Sequence, residues 1–209
     1  FRQNWTYDPS GQDRMQTMDH MLDVLEALGD MVKAGKIRSI GMSNESAWGM
    51  TKWCDVAEAN GLPRMASVQN EYSLMCRMYD TDMAEMAVNE DVTLLSFSPL
   101  ACGMLTGKYQ GGAVPNGSRM SIGPEMGGRM TPRTLPIVQA YLDLAKKHGV
   151  DPTHMAMAWQ RTRPFPISAI FGATTTAQLA HLLAGDDLTL TDEVLSEIDA
   201  AHRANPMPY

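Results

Sequence analysis

Four groups of residues carry the chemistry in this sequence: Ser43-Asn44, Gln69-Asn70, Phe97-Ser98 and Gly172-Ala173-Thr174. Each ends a short apolar run of strand length, so each sits where a strand gives way to a loop. Asn and Gln side chains offer one carbonyl acceptor and two amide donors, the complement of a primary carboxamide. Phe97 offers a flat face on which the ring bearing that carboxamide can stack. Ser98, the backbone of Ala101–Gly107 and Lys108 have the donors and charge for a pyrophosphate, and Arg119 for a terminal phosphate. Free amides at the start of a helix capped by Thr176 suit another phosphate. Carboxamide, flat ring, pyrophosphate and an extra phosphate together describe NADPH. Taken singly, each residue is also the ordinary chemistry of a turn. The agreement of all the strand ends is what favours a ligand.

The elements that must hold these groups are legible from periodicity. The stretch TLLSFSPLACGMLTGKY, Thr93 to Tyr109, is the centre of the arrangement. Val92–Leu95 reads as a buried strand, Phe97-Ser98-Pro99 as its break, and Ala101–Gly107 as a loop of small residues. Before it, Met21, Val24, Leu25, Leu28, Met31 and Val32 have helical spacing within Thr17–Lys36, and Ile37–Met42 reads as a strand. Ser46 caps a helix whose inner face carries Met50, Trp53, Val56 and Ala57, stopped by Asn60-Gly61-Leu62-Pro63. Met65–Gln69 is the next strand and Thr81–Asn89 a short helix.

Beyond the centre, Gln110–Pro132 is rich in Gly, Pro, Ser and Arg, a loop long enough to be functional or mobile. Leu135–Lys147 is helical, and Asp151-Pro152 supplies an N-cap and first-turn proline for the helix through Trp159. Pro166–Ala173 reads as the last strand. Helices capped by Thr176 and Thr191 finish the chain, with Asp192 and Glu193 in the first turn of the last one. Helix and strand alternate, which predicts an α/β fold with a parallel sheet.

Composition excludes several classes. The 209 residues suffice for one domain with a core, and 44% hydrophobic against 20% charged content is a globular profile. A net charge of -7 gives no footprint for nucleic acid, and no apolar run approaches membrane length. The three cysteines, Cys54, Cys76 and Cys102, lack CxxC spacing, which points to reduced thiols in a cytoplasm and to no metal site. The polar opening Phe1–Asp13 begins without methionine and reads as a loop inside a longer protein.

GKIRSIGMSN at Gly35–Asn44, SVQNEYSL at Ser67–Leu74, SFSPLACGMLTGKY at Ser96–Tyr109 and FGATTTAQL at Phe171–Leu179 resemble motifs of the aldo-keto reductases. The similarity leans to the bacterial Tas-type and potassium-channel β-subunit-like branch. It implies a (β/α)8 TIM barrel of which residues 1–209 form the C-terminal half, about the last four β/α units plus C-terminal helices. It further implies that Ser43, Asn44 and Gln69 hold a nicotinamide carboxamide and that Phe97 stacks on the ring. Ser98, Pro99, Leu100, Ala101, Cys102 and Lys108 would fold over the pyrophosphate, with Arg119 at the phosphate end. Gly172, Thr174 and Gln178 would form the adenosine-phosphate loop. Where many relatives place Glu-Asn at the adenine, this chain has His181 and Leu182, which leaves the choice between NADPH and NADH open.

The catalytic Asp, Tyr, Lys and His of the family belong to motifs that do not occur in this sequence. The resemblance therefore implies an NAD(P)H-dependent reduction of a small-molecule aldehyde or ketone in which this chain supplies the cofactor half and is inactive alone. His20 reads as a surface residue, His148 and His202 as helix C-terminal residues, His154 as solvated, and Tyr72 and Tyr109 as pocket walls. A nucleotide-sensing module like the channel β subunits and an inactive fragment are the alternatives. Open sheet edges predict self-association.

Overall fold

The computed structural model describes residues 10–206; the first nine residues of the polar opening lie outside them. The described chain forms two compact units, one of residues up to 70 with 79–95, the other of 71–78 with 96 onward. The strands β1 (Ile40–Ser43), β2 (Met65–Glu71), β3 (Thr93–Phe97) and β4 (Ile167–Ile170) follow one another in the order β1-β2-β3-β4 of a parallel sheet. Among the described residues β1 and β4 are its two edges.

The first unit holds α1 (Arg14–Lys33), β1, α2 (Ala47–Ala59), β2, α3 (Asp82–Asn89) and the start of β3. Helix α1 starts three residues before the expected Thr17, because the Asp13 carboxylate accepts from the amides of Met15 and Gln16 at 2.8 and 3.1 Å. Only Met21, Leu25 and Gly29 of it are buried, a narrow i, i+4, i+8 stripe, and Met31 is exposed. Strand β1 begins at Ile40 rather than Ile37, since the amides of Lys36 and Ile37 turn back to the Met31 carbonyl. Helix α2 is capped by Ser46 as expected and buries Met50, Trp53, Cys54, Val56 and Ala57. Strands β1 and β2 pair with Gly41 opposite Ser67 and Ser43 opposite Gln69. They approach so closely that a Cβ on Gly41 would lie 2.3 Å from Ser67 Oγ.

The second unit holds the end of β3, α4 (Arg119–Ile122), α5 (Thr134–Lys147), α6 (Pro152–Arg161), β4, α7 (Thr176–Leu183) and α8 (Asp192–Ala204). Its core comes from Ile137, Val138 and Tyr141 on α5, Met155, Ala156 and Trp159 on α6, and Val194 and Ile198 on α8. Tyr141 donates to the Leu74 carbonyl at 2.9 Å, and Trp159 stacks on Tyr72 at 5.1 Å.

Several expectations need correction in this unit. Phe97 does not break its strand: its carbonyl accepts from the Tyr72 amide at 3.2 Å, and the ladder ends only at Ser98, where φ turns to +54°. The Ala101–Gly107 loop is wound into 3₁₀ turns with a kink at Cys102 and Gly103. Strand β4 stops at Ile170, leaving Phe171 to Ala173 outside it. Thr175, not Thr176, caps α7, accepting from the Gln178 amide. The Gln110–Pro132 segment contains a 3₁₀ turn at Gln110–Gly112 and α4, and is tied down by Arg129, which pairs with Glu71. Tyr72 and Tyr109 are core residues, 0% and 1% exposed, rather than pocket walls. No helix among the described residues is long and apolar enough to cross a membrane.

Candidate functional site

The expected site residues fall into separate clusters, one in the first unit and two in the second. In the first unit, Ser43 and Gln69 are paired across the β1–β2 ladder, and the Asn44 amide donates to the Gln69 carbonyl at 2.9 Å. Asn44 takes a left-handed conformation, φ +54°, which Asn tolerates better than most residues, and its Nδ2 donates to Ser43 Oγ at 3.1 Å. Gln69 makes no side-chain hydrogen bond among the described residues, so both ends of its amide remain available. Asn70 differs from its neighbour: its Oδ1 accepts from the Glu45 amide and its Nδ2 donates to the Glu45 carbonyl, at 3.1 and 2.9 Å. Asn70 therefore builds the turn that presents Ser43 and Asn44, and its amide is already used.

The second cluster begins where β3 ends. Ser98, Ala101 and Cys102 all have positive φ, at +54°, +48° and +57°, followed by Gly103 at +88°. A non-glycine residue in this region costs roughly 1–2 kcal/mol, so three within five positions persist only because the surroundings enforce them. Ala101, Met104 and Leu105 do so, being buried among α5 and α6. Turn bonds from the Ala101 amide to Ser98 and from Gly103 to Leu100, 2.8 and 2.9 Å, fix the winding. Ser98 Oγ and Cys102 Sγ lie 3.7 Å apart on the resulting surface, where Phe97, Leu100 and Cys102 are half-buried and Pro99 is buried.

Lys108 folds back over this winding. Its Nζ lies 2.9 Å from where a Cβ on Gly103 would stand, and 5.2 Å from the Tyr109 ring centroid. Gly103 is favoured by its φ of +88°, while the exposed lysine above it could give way to a Cβ. Lys108 is exposed, and no carboxylate among the described residues pairs with it. The Tyr109 hydroxyl is buried beneath without a hydrogen-bond partner among the described residues.

The third cluster is the turn into α7. Thr174 donates from both its amide and its hydroxyl to Gln178 Oε1, at 2.9 and 3.0 Å, while Thr175 caps the helix. This is a variant of the capping box, displaced one residue outward. It occupies the Gln178 oxygen and leaves its Nε2 to donate. Gly172, Thr174 and Gln178 are all exposed. No hydrogen bond or ion pair among the described residues joins this turn to the 98–108 winding, or joins Arg119 to either. Arg119 stands exposed at the start of α4.

Sequence reasoning missed the framework beneath the winding. Ser96, fully buried on β3, donates to Gln160 Oε1, and Gln160 Nε2 donates to the Tyr72 carbonyl at 3.1 Å. Ser96 reads in sequence as one more strand residue, because its partner lies 64 positions away. His154 also departs from expectation: it is half-buried, and its Nε2 lies 2.6 Å from the His181 carbonyl.

A family model described as the aldo/keto reductase family matches residues 5–203. Protein tas of Escherichia coli (strain K12) is 42% identical over 188 residues, covering 90% of this chain and 54% of that protein. An aldo-keto reductase of Babesia bovis is 31% identical over 86% of this chain and 66% of its own length. A probable voltage-gated potassium channel subunit beta of Arabidopsis thaliana is 30% identical over 76% of this chain and 53% of its own length. The chain spans about half the length of most of the curated relatives it matches.

Proposed function

The chain belongs to the aldo/keto reductase family, and from that premise we propose that it forms the cofactor-binding half of a barrel enzyme that reduces an aldehyde or ketone with NADPH. The observation that carries the proposal is the left-handed winding at Ser98–Gly103 with a lysine folded over it that pairs with no carboxylate among the described residues. Backbone strain concentrated in one loop marks a site built for a ligand, and a cation with no carboxylate partner suits a pyrophosphate. In this reading Ser98, Pro99, Leu100, Ala101, Cys102 and Lys108 hold the diphosphate, and Phe97 lies against the nicotinamide. The free Gln69 amide, with Ser43 and Asn44, takes the carboxamide. Gly172, Thr174, the free Nε2 of Gln178, and Arg119 serve the adenosine phosphate. The nicotinamide, when bound, supplies the hydride.

Proton donation is assigned to no residue of this chain. Tyr72 is fully buried and Tyr109 nearly so, so neither hydroxyl faces a substrate. Binding without turnover is therefore the expected behaviour of residues 1–209. A nucleotide-sensing module is the second reading, motivated by the similarity to a probable voltage-gated potassium channel subunit beta and ranked below the reductase. A cytoplasmic setting and self-association through the β1 and β4 edges belong to the same proposal.

Titrating the purified chain with NADPH, followed by nicotinamide fluorescence, tests it, together with an aldehyde-reduction assay. Saturable binding that weakens in Lys108→Met is the expected result. Failure to bind any reduced nicotinamide coenzyme would sink the cofactor assignment, and clear aldehyde turnover would sink the placement of the proton donor outside the chain.

A further inference from the structure

Asp151, His154 and His181 lie together at the junction of α6 and α7, each placing one donor atom within 4.8 Å of the others. Their separation in sequence, with His154 and His181 27 positions apart, hides the cluster until the chain folds. It lies at the opposite end of α7 from Thr174 and Gln178, and of its three residues only His181 stands at a position that the resemblance associates with the adenine.

Asp151 and His154 are each held by contacts that leave a metal-binding atom over. Asp151 uses Oδ1 to accept the Thr153 and His154 amides, at 2.8 and 3.1 Å, as the N-cap of α6. Its Oδ2 then faces His181 Nε2 at 3.4 Å. His154 Nε2 donates to the His181 carbonyl at 2.6 Å, an arrangement that in the neutral ring leaves the lone pair on Nδ1. A ring nitrogen donating to a backbone carbonyl is the usual support of a metal-bound histidine. The His154 ring is further fixed by Gly185, where a Cβ would fall 2.3 Å from His154 Cγ. The two imidazoles stand 4.7 Å apart at 32°, open to solvent on the His181 side.

Two imidazoles and a carboxylate form a donor set suited to zinc and its neighbours. Tetrahedral zinc, with bonds of about 2.0–2.2 Å, wants its donors about 3.3 Å apart. The Asp151–His181 separation of 3.4 Å already meets that, and the other donor pairs lie within 4.8 Å. His181 also lies in the last turn of α7, where the helix dipole favours a cation. The other cluster of similar composition, His148, Glu193 and Glu197, is less suited, because Lys147 already neutralises Glu197.

We propose that Asp151, His154 and His181 form a three-ligand site for a divalent metal of the zinc class, with water completing the shell. Calorimetric titration of the chelator-treated chain with zinc chloride tests this, alongside cobalt(II) absorption in the visible. One equivalent of zinc should bind, and cobalt should give the intense bands of a tetrahedral site. Asp151→Asn, which preserves the helix cap, and His181→Leu, at an exposed position, should each weaken zinc at least tenfold and abolish the cobalt bands. His148→Gln should leave both readouts unchanged. Unaltered zinc affinity in His181→Leu, or a loss that follows His148→Gln instead, would overturn the proposal.

Discussion

The guanidinium of Arg129 grips the Glu71 carboxylate at two points, Nε to Oε1 at 2.7 Å and Nη2 to Oε2 at 2.6 Å, across 58 residues of sequence. Both side chains are largely buried, 16% and 12% exposed, so water screens the pair little. Arg129 also donates to the Met126 carbonyl, which extends the anchorage into the irregular segment before α5.

Removing one partner leaves the other charge buried. Glu71→Gln is expected to cost about 3 kcal/mol, read as a lower urea midpoint with unchanged slope. Proteolytic nicking should concentrate between residues 110 and 132. A variant cut no faster than the wild type there would show that the fork does not hold this segment.

Lys108 is exposed and makes no ion pair among the described residues, so its role separates from stability. Lys108→Met should shift the melting temperature negligibly while lowering NADPH affinity about tenfold, on the order of one charge-assisted contact. The loss should shrink at high salt, where the wild-type attraction is itself screened. Fluorescence titrations at low and high ionic strength measure both effects.

Gly41 leaves no room for a side chain. A Cβ there would fall 2.3 Å from Ser67 Oγ and 2.7 Å from the Ser67 carbonyl oxygen. Gly41→Ala is expected to destabilise by about 2–3 kcal/mol, and adding Ser67→Ala should restore only part, because the backbone clash persists. Urea denaturation of the single and double variants decides the partition.

Burial pushes the Cys76 thiol up to about 12 from 9.0, with the Glu71 carboxylate adding to it, and burial pushes Tyr141 up to about 12 from 10.0. The folded chain thus keeps protons that the unfolded chain releases. These groups contribute fully below pH 9 for Cys76 and below pH 10 for Tyr141, and the contribution is lost as pH rises toward 12. Stability should therefore fall with alkalinity above pH 9, and Cys76→Ala should flatten the early part of that fall. Cys102, half-buried on the kinked winding, should react first with a thiol reagent at pH 8, with Cys54 and Cys76 reacting only on unfolding.

At the other end of the scale, Lys147 and His148 hold Glu197 below the usual carboxylate range through hydrogen bonds. Its contribution is present above the ordinary carboxylate pKa and is lost as pH falls through the depressed one. Glu197→Gln should reduce the acid sensitivity of unfolding below the ordinary carboxylate pKa of 4.5 by a small amount, since the Lys147 partner is open to solvent. Acid unfolding curves of the two forms, superimposed, check the direction.

What periodicity and turn chemistry settle from sequence is the local layer. The Ser46 and Asp151 caps, the inner face Met50-Trp53-Val56-Ala57 and the alternation of helix and strand depend on neighbours a few residues apart, so the sequence displays them directly. The four motif stretches, read together, likewise point to the family. Tertiary structure decided whatever depends on a distant partner. Phe97 stays in its strand because Tyr72 bonds its carbonyl, and Ser96 is polar because Gln160 waits beneath it. Asn70 and Gln69 look alike in sequence, yet Glu45 engages one and leaves the other open. A side chain's type fixes what it can bond; only the folded chain fixes which bonds are already taken.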